Sequence, residues 1–193
     1  MEAFSTLFDI VKAYDSVDLN VLIRAAKTYQ FDMGLMRYIL CLYCSPRCLV
    51  VDGVATNMVK VSRSILAGDS FADLLLMMVM LAPVDVIVAK YPTVRPTVLA
   101  GDVHFLTIDS PSKCADVAAG SANDLLLLME GSCLFEISNE KMTSVACSKK
   151  LFMEVVAKAK RLQGSFKLTV RNLGVQYSAC KKGGNNSTQM VRI

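Results

Sequence analysis

The 193-residue sequence predicts an α+β domain with helices packed on a mostly antiparallel sheet. Three observations lead there. Strand-like and helical segments follow as strand, helices, hairpin, helix, hairpin, helix, hairpin, which supplies antiparallel pairs rather than parallel crossovers. Asp52-Gly53, between two strand-like runs, is the strongest short hairpin signal in the chain. At 53% hydrophobic, the sequence has ample material for one core.

The elements follow in order. Phe4 to Val11 reads as the first strand. Asp18 can cap a helix from Leu19 to about Gln30, and Asp32 a second from Met33 to about Cys44, with Pro46 stopping it. Arg47 to Val51 and Val54 to Val61 form the Asp52-Gly53 hairpin. Phe71 to about Lys90 is too long and too rich in Leu and Met for a strand, so it reads as a buried helix that Pro83 kinks or ends. Thr97 to Leu99 and Val103 to Ile108 are short strands hinged at Ala100-Gly101-Asp102. Lys113 to Glu130 is a helix closed by Gly131. Cys133 to Ile137 is expected to pair with Ser144 to Cys147 around Asn139-Glu140-Lys141. Ser148 caps a helix whose apolar stripe is Leu151, Phe152, Val155, Val156, Ala159 and Leu162. Phe166 to Val170 and Leu173 to Tyr177 make a last hairpin.

The net charge of +4 conceals a division. Residues 1–140 carry ten Lys/Arg against sixteen Asp/Glu, whereas residues 141–193 carry eleven against Glu154 alone. A basic C-terminal third suits a polyanionic ligand; the plain alternative is a solvated surface. The longest unbroken apolar run, Leu74 to Val84, is shorter than the roughly 20 residues a bilayer needs, so no membrane association is expected. Seven cysteines without a secretory signal point to an intracellular, reducing compartment, nucleus or cytoplasm.

Asp9 interrupts the apolar run Leu7-Phe8-Ile10 at the end of the first strand. A carboxylate set in a buried strand requires a cation or metal; otherwise Asp9 simply faces solvent from an edge. Asp102 interrupts a second apolar strand at its hinge. Two such carboxylates side by side on an antiparallel sheet repel each other unless divalent cations neutralise them, the layout of two-metal phosphoryl chemistry. Cys41, Cys44 and Cys48 have a superficial zinc spacing without a fourth ligand nearby, and read as buried structural thiols. His104 lies on a strand with no serine or cysteine motif placed to use it.

Five segments, in order, carry a resemblance. Asp9-Ile10-Val11-Lys12-Ala13-Tyr14-Asp15-Ser16-Val17 resembles the first palm motif of reverse transcriptases of the non-LTR retroelement and group II intron kind. Leu66-Ala67-Gly68-Asp69-Ser70-Phe71-Ala72 resembles their second motif, and Leu99-Ala100-Gly101-Asp102-Val103 falls where the paired aspartates stand. Ile137-Ser138-Asn139-Glu140-Lys141 resembles the fourth motif, and Asn172-Leu173-Gly174-Val175 the primer-grip hairpin. The resemblance implies a polymerase palm-like, ferredoxin-like antiparallel sheet packed on helices, with partial fingers, over residues 1–178. Residues 179–193 would be a basic tail or the truncated start of a thumb.

The implied function is RNA-directed DNA polymerase, transferring nucleotides to a primer 3′-OH with Mg²⁺, an RNA template/DNA primer duplex and dNTP as partners. Asp9 and Asp102 would be catalytic and bind Mg²⁺, with the carbonyl of Ile10 as a further ligand. Tyr14 would sit under the incoming sugar, Gly68 would let the backbone approach the nucleotide, and Lys141 would lie near the triphosphate. Two positions depart from the pattern. Gly101 stands where the first of the paired aspartates belongs, and Ala67 where a Gln is usual. Losing one carboxylate should weaken metal binding and slow the reaction by orders of magnitude. The alternative is a non-catalytic nucleic-acid-binding remnant of a retroelement polymerase.

Overall fold

The computed structural model describes residues 1–162, together with the backbone of three strands beyond them. Strand β1 (Glu2–Asp9) leads over a short crossing into the single-turn helix α1 (Ala13–Ser16). Helix α2 (Leu19–Thr28) begins where Asp18 accepts the N–H groups of Asn20 and Val21 at 2.8 and 3.2 Å. Helix α3 (Met33–Tyr43) begins where Asp32 accepts that of Leu35 at 2.7 Å. Both caps fall where the sequence places them, because an aspartate oxygen satisfies orphan donors of the first turn. The Asp52-Gly53 hairpin forms, but its strands β2 (Val50–Val51) and β3 (Val54–Ala55) are two residues each and exposed.

Helix α4 (Ala72–Lys90) continues through Pro83 as one element rather than ending there. A proline at 83 removes the donor that the carbonyl of Val79 would otherwise receive. Cys133 Sγ lies 3.6 Å from that oxygen and donates to it instead, so the helix continues. By length and composition α4 could cross a membrane, with a mean hydropathy of 2.2, and half of that window is buried inside this domain. It packs against α2 and against two later elements, β4 (Val94–Leu99) and α5 (Cys114–Gly131).

Between those two lies β5 (Asp102–Asp109), and after α5 come β6 (Thr143–Ala146) and α6 (Lys149–Lys158), which Ser148 caps at Leu151 N–H. The main sheet has the order β4-β5-β1-β6 and is antiparallel throughout. Its even-numbered β1 residues face the helices. Phe4 stacks on Phe152 of α6 with ring centroids 6.5 Å apart, and Phe8 meets Phe105 edge-on at 5.8 Å. This is the mixed α+β architecture on an antiparallel sheet that the element order predicts.

The pairing of Cys133–Ile137 with Ser144–Cys147 does not form. Cys133 and Phe135 instead give their N–H groups to Leu128 and Met129 at the end of α5, with Leu134 at φ 60° making the turn. The second edge of β1 takes both halves of the expected hairpin: Thr143–Ala146 pair along it, and Ile137 bridges to Ile10. The last hairpin, β7 (Thr169–Asn172) and β8 (Val175–Ser178), closes at Asn172 and Val175, two residues later than the sequence suggests. Strand β9 (Met190–Arg192) adds to β8 in parallel. The rest of the expected tail, 179–189 and 193, lies outside the described residues, as do Leu173 and Gly174.

Candidate functional site

Asp9 is the last residue of β1 and Asp102 the first of β5, and the register sets them directly opposite each other. Ile10 N–H reaches the carbonyl of Gly101 at 3.2 Å, one residue outside the pair. That bond makes Asp9 and Asp102 a non-hydrogen-bonded pair, the closer kind, with Cα atoms about 4.5 Å apart and both side chains on one face. The two-residue turn Ala100-Gly101 holds Asp102 in place. Both its residues have positive φ, 45° and 98°, as a type I′ hairpin turn requires.

A third group completes the cluster. Lys141 Nζ stands 3.3 Å from Asp9 Oδ1 and 3.2 Å from Oδ2. The contact with Oδ2 is an ion pair off the hydrogen-bonding direction, so that buried oxygen has no donor aligned on it among the described residues. Burial, and then the facing Asp9 carboxylate, raise the proton affinity of Asp102 above the ordinary carboxylate range, and the Lys141 ammonium opposes them. Ile10 is buried, and its N–H is taken by Gly101, which leaves its carbonyl as its main-chain ligand for a cation.

These residues fit one divalent cation. Two carboxylates at close spacing, an orphaned buried oxygen and a neighbouring carbonyl are hard oxygen donors of the kind Mg²⁺ takes. The protein side chains at the pair are these two carboxylates alone: no group of three metal-binding side chains assembles among the described residues. A third carboxylate has no room at 101 either. A β-carbon there would come within 2.6 Å of Ala13 Cβ, on a backbone at φ +98°.

Tyr14 and Gly68 are gathered at a neighbouring place, the start of α4. The Tyr14 hydroxyl donates to Asp73 in the first turn of α4, a bond that raises the tyrosine's pKa, and its carbonyl accepts Ile65 N–H at 2.9 Å. Gly68, at φ 88°, occupies the turn Leu66–Asp69 just before that helix, with nothing within 4 Å of where its β-carbon would be. The short crossing after Asp9 links this group to the carboxylate pair.

Other candidates separate from the site. Cys41, Cys44 and Cys48 are exposed, not buried, because they sit at and beyond the solvent-facing end of α3. His104 does have a serine beside it: Ser5 Oγ is 2.7 Å from its Nε2, across the β1–β5 ladder. Both side chains are almost fully buried, which leaves no approach for a substrate. A cavity of about 260 Å³ between α2, α4 and α5, around Arg24, Pro83 and Cys133, includes none of the site residues. The basic segment is partly neutralised by the acidic body: Lys158 pairs with Asp116 and Arg161 with Glu130 at 2.6 Å, besides Lys141 with Asp9.

No family model matches the chain. No curated protein matches it either. Solved structures do. Apo telomerase from Candida tropicalis superposes with a TM-score of 0.66 at 10% identity over 92% of this chain and 31% of that one. The same enzyme truncated from its C-terminal domain gives 0.64 at 12% identity, over 92% and 34%. Telomerase from Candida albicans in complex with a TWJ fragment of telomeric RNA gives 0.64 at 12%, over 90% and 30%. The chain therefore spans about a third of the length of these structures. They are reverse-transcriptase-related catalytic subunits, and the fold of this chain is reverse-transcriptase-like.

Proposed function

We propose that this chain is the palm of a reverse-transcriptase-like protein that binds a primer–template duplex and holds one Mg²⁺ between Asp9 and Asp102. The observation that carries the reading is the close cross-strand pair of Asp9 and Asp102 with Lys141 over it. The reverse-transcriptase-like fold supports it, as does the RNA bound by one structural neighbour. The motifs lean toward the non-LTR retroelement and group II intron kind, whereas the neighbours are telomerases, so the wider class is the one proposed.

In this reading Asp9, Asp102 and the Ile10 carbonyl hold the cation. Bound there, Mg²⁺ would supply charge stabilisation to a phosphoryl group. Tyr14, anchored on Asp73, would press on the sugar of an incoming nucleotide, and Gly68 would leave open the space that a side chain would fill. Nucleotidyl transfer by the two-metal route needs cations on both the attacking and the leaving oxygen. Two carboxylates and a glycine at 101 support that step only at a rate lowered by orders of magnitude. The lack of space at Gly101 favours a second reading, in which the chain binds nucleic acid without polymerising.

Fluorescence anisotropy with an RNA/DNA primer–template tests the shared part: binding should be measurable at low salt and weaken steeply as salt rises. Absence of binding at low salt would overturn both readings. Primer extension with Mg²⁺ or Mn²⁺ separates them.

A further inference from the structure

Lys141 is delivered to Asp9 by a turn fastened to the same residue. Ser138 N–H donates to the Asp9 carbonyl at 2.9 Å, and Ser138 Oγ accepts Lys141 N–H at 3.3 Å. The Ser138 carbonyl accepts Met142 N–H at 3.2 Å, and Met142 is buried in the core. The backbone at 141 is thus fixed on both sides, although its side chain is 70% exposed. A free surface lysine loses rotamer freedom on pairing and gains little. Here the turn has already restricted the approach, and the ammonium contacts both oxygens of one carboxylate.

A divalent ion coordinated by Asp9 would use one or both of those same oxygens. We propose that Lys141 is a resident counter-ion that competes with a divalent cation for Asp9 and keeps the affinity of the pair for metal low. The inference rests on the reading that Asp9 and Asp102 can take a divalent cation. It concerns what the chain itself places against that ion. The ammonium stands against both oxygens, and repulsion between it and a divalent ion a few ångströms away penalises binding of the ion while the ammonium stays. Removing the ammonium leaves the carboxylates, their register and the Ser138 turn unchanged.

The test is Mn²⁺ binding, read from the free-ion electron paramagnetic resonance signal of the whole chain without nucleic acid. Lys141→Met should bind Mn²⁺ at least about tenfold more tightly than the unaltered chain, equivalent to about 1.4 kcal/mol. Lys150→Met removes an exposed lysine paired with Glu154, and should leave the affinity unchanged. Adding Asp9→Asn to Lys141→Met should abolish the gain. A Lys141→Met chain that binds no more tightly than the unaltered one, or that binds no Mn²⁺, overturns the proposal. So does a gain that survives Asp9→Asn. Anisotropy on the same preparations keeps the two ideas apart. A gain in Mn²⁺ affinity without duplex binding overturns the nucleic-acid reading alone, and duplex binding without that gain overturns the counter-ion alone.

Discussion

Asp9 and Asp102 occupy opposite positions of a non-hydrogen-bonded pair at the end of the β1–β5 ladder, and the Lys141 ammonium beside them pairs with Asp9. Like charges directly opposite on a sheet destabilise it, on the scale of about 0.2–1 kcal/mol. Asp102→Asn should therefore stabilise the protein in metal-free buffer at pH 8 by an amount in that range. The raised folded-state pKa of Asp102 means that its ionisation opposes folding above that pKa. The gain should accordingly fade as pH falls through the ordinary Asp value of about 3.9 and be nearly lost at about pH 3, where the carboxyl is largely protonated in both states. Urea midpoints of the two proteins at both pH values check this; equal differences at both would show that the repulsion is not felt.

Gly101→Asp should fail to restore a third carboxylate. A left-handed backbone in a non-glycine residue and a 2.6 Å approach to Ala13 Cβ act together. Strain of this kind costs about 1–3 kcal/mol. The single variant should lose stability on that scale and gain no Mn²⁺ affinity, while pairing it with Ala13→Gly should recover part of the loss. Thermal melts of the single and paired variants decide it.

The carbonyl of Val79 has its donor from Cys133 because Pro83 cannot supply one. Cys133→Ala should cost about 1–3 kcal/mol for the buried unsatisfied carbonyl. With Pro83→Ala, residue 83 again has an N–H for Val79, so Cys133→Ala should cost less in that background. A double-mutant cycle in urea reads the coupling directly, and additive losses would count against the bond.

His104 is the chain's single histidine, and burial lowers its pKa below the ordinary value of about 6.5. The unfolded chain therefore takes up a proton at a higher pH than the folded one. Stability from the neutral ring is complete above about pH 6.5 and declines as pH falls through that value toward the folded pKa. Urea midpoints should fall between pH 7.5 and 5.5, and His104→Gln should flatten that slope. An unchanged slope in the variant would assign it to other groups.

Asp9 and Asp102 were legible because a strand repeats every two residues, and a carboxylate interrupting an apolar run at a hinge is anomalous. The position of Lys141 came through the motif resemblance, since nothing in its spacing points at a residue 132 positions earlier. The expected 133–137 hairpin failed because local pairing signals do not register a rival partner, and the second edge of β1 was that rival. The continuity of α4 past Pro83 depends on a thiol 54 residues from Val79. Ser5 and His104 were missed for the same reason, being 99 residues apart, although both belong to the odd–even alternation that faces Asp9 and Asp102 to one side.

The burial of α4 has a consequence for biosynthesis. As the chain leaves the ribosome, Ala72–Lys90 is a span of high mean hydropathy with only the short α1 and α2, of its described packing partners, already made. Its other covers, β4 and α5, are synthesised later. During that interval much of the segment's apolar surface is uncovered, and premature termination before α5 would leave it so. The arrival of β4 and α5 is therefore what ends the exposure of a helix that the finished fold half conceals.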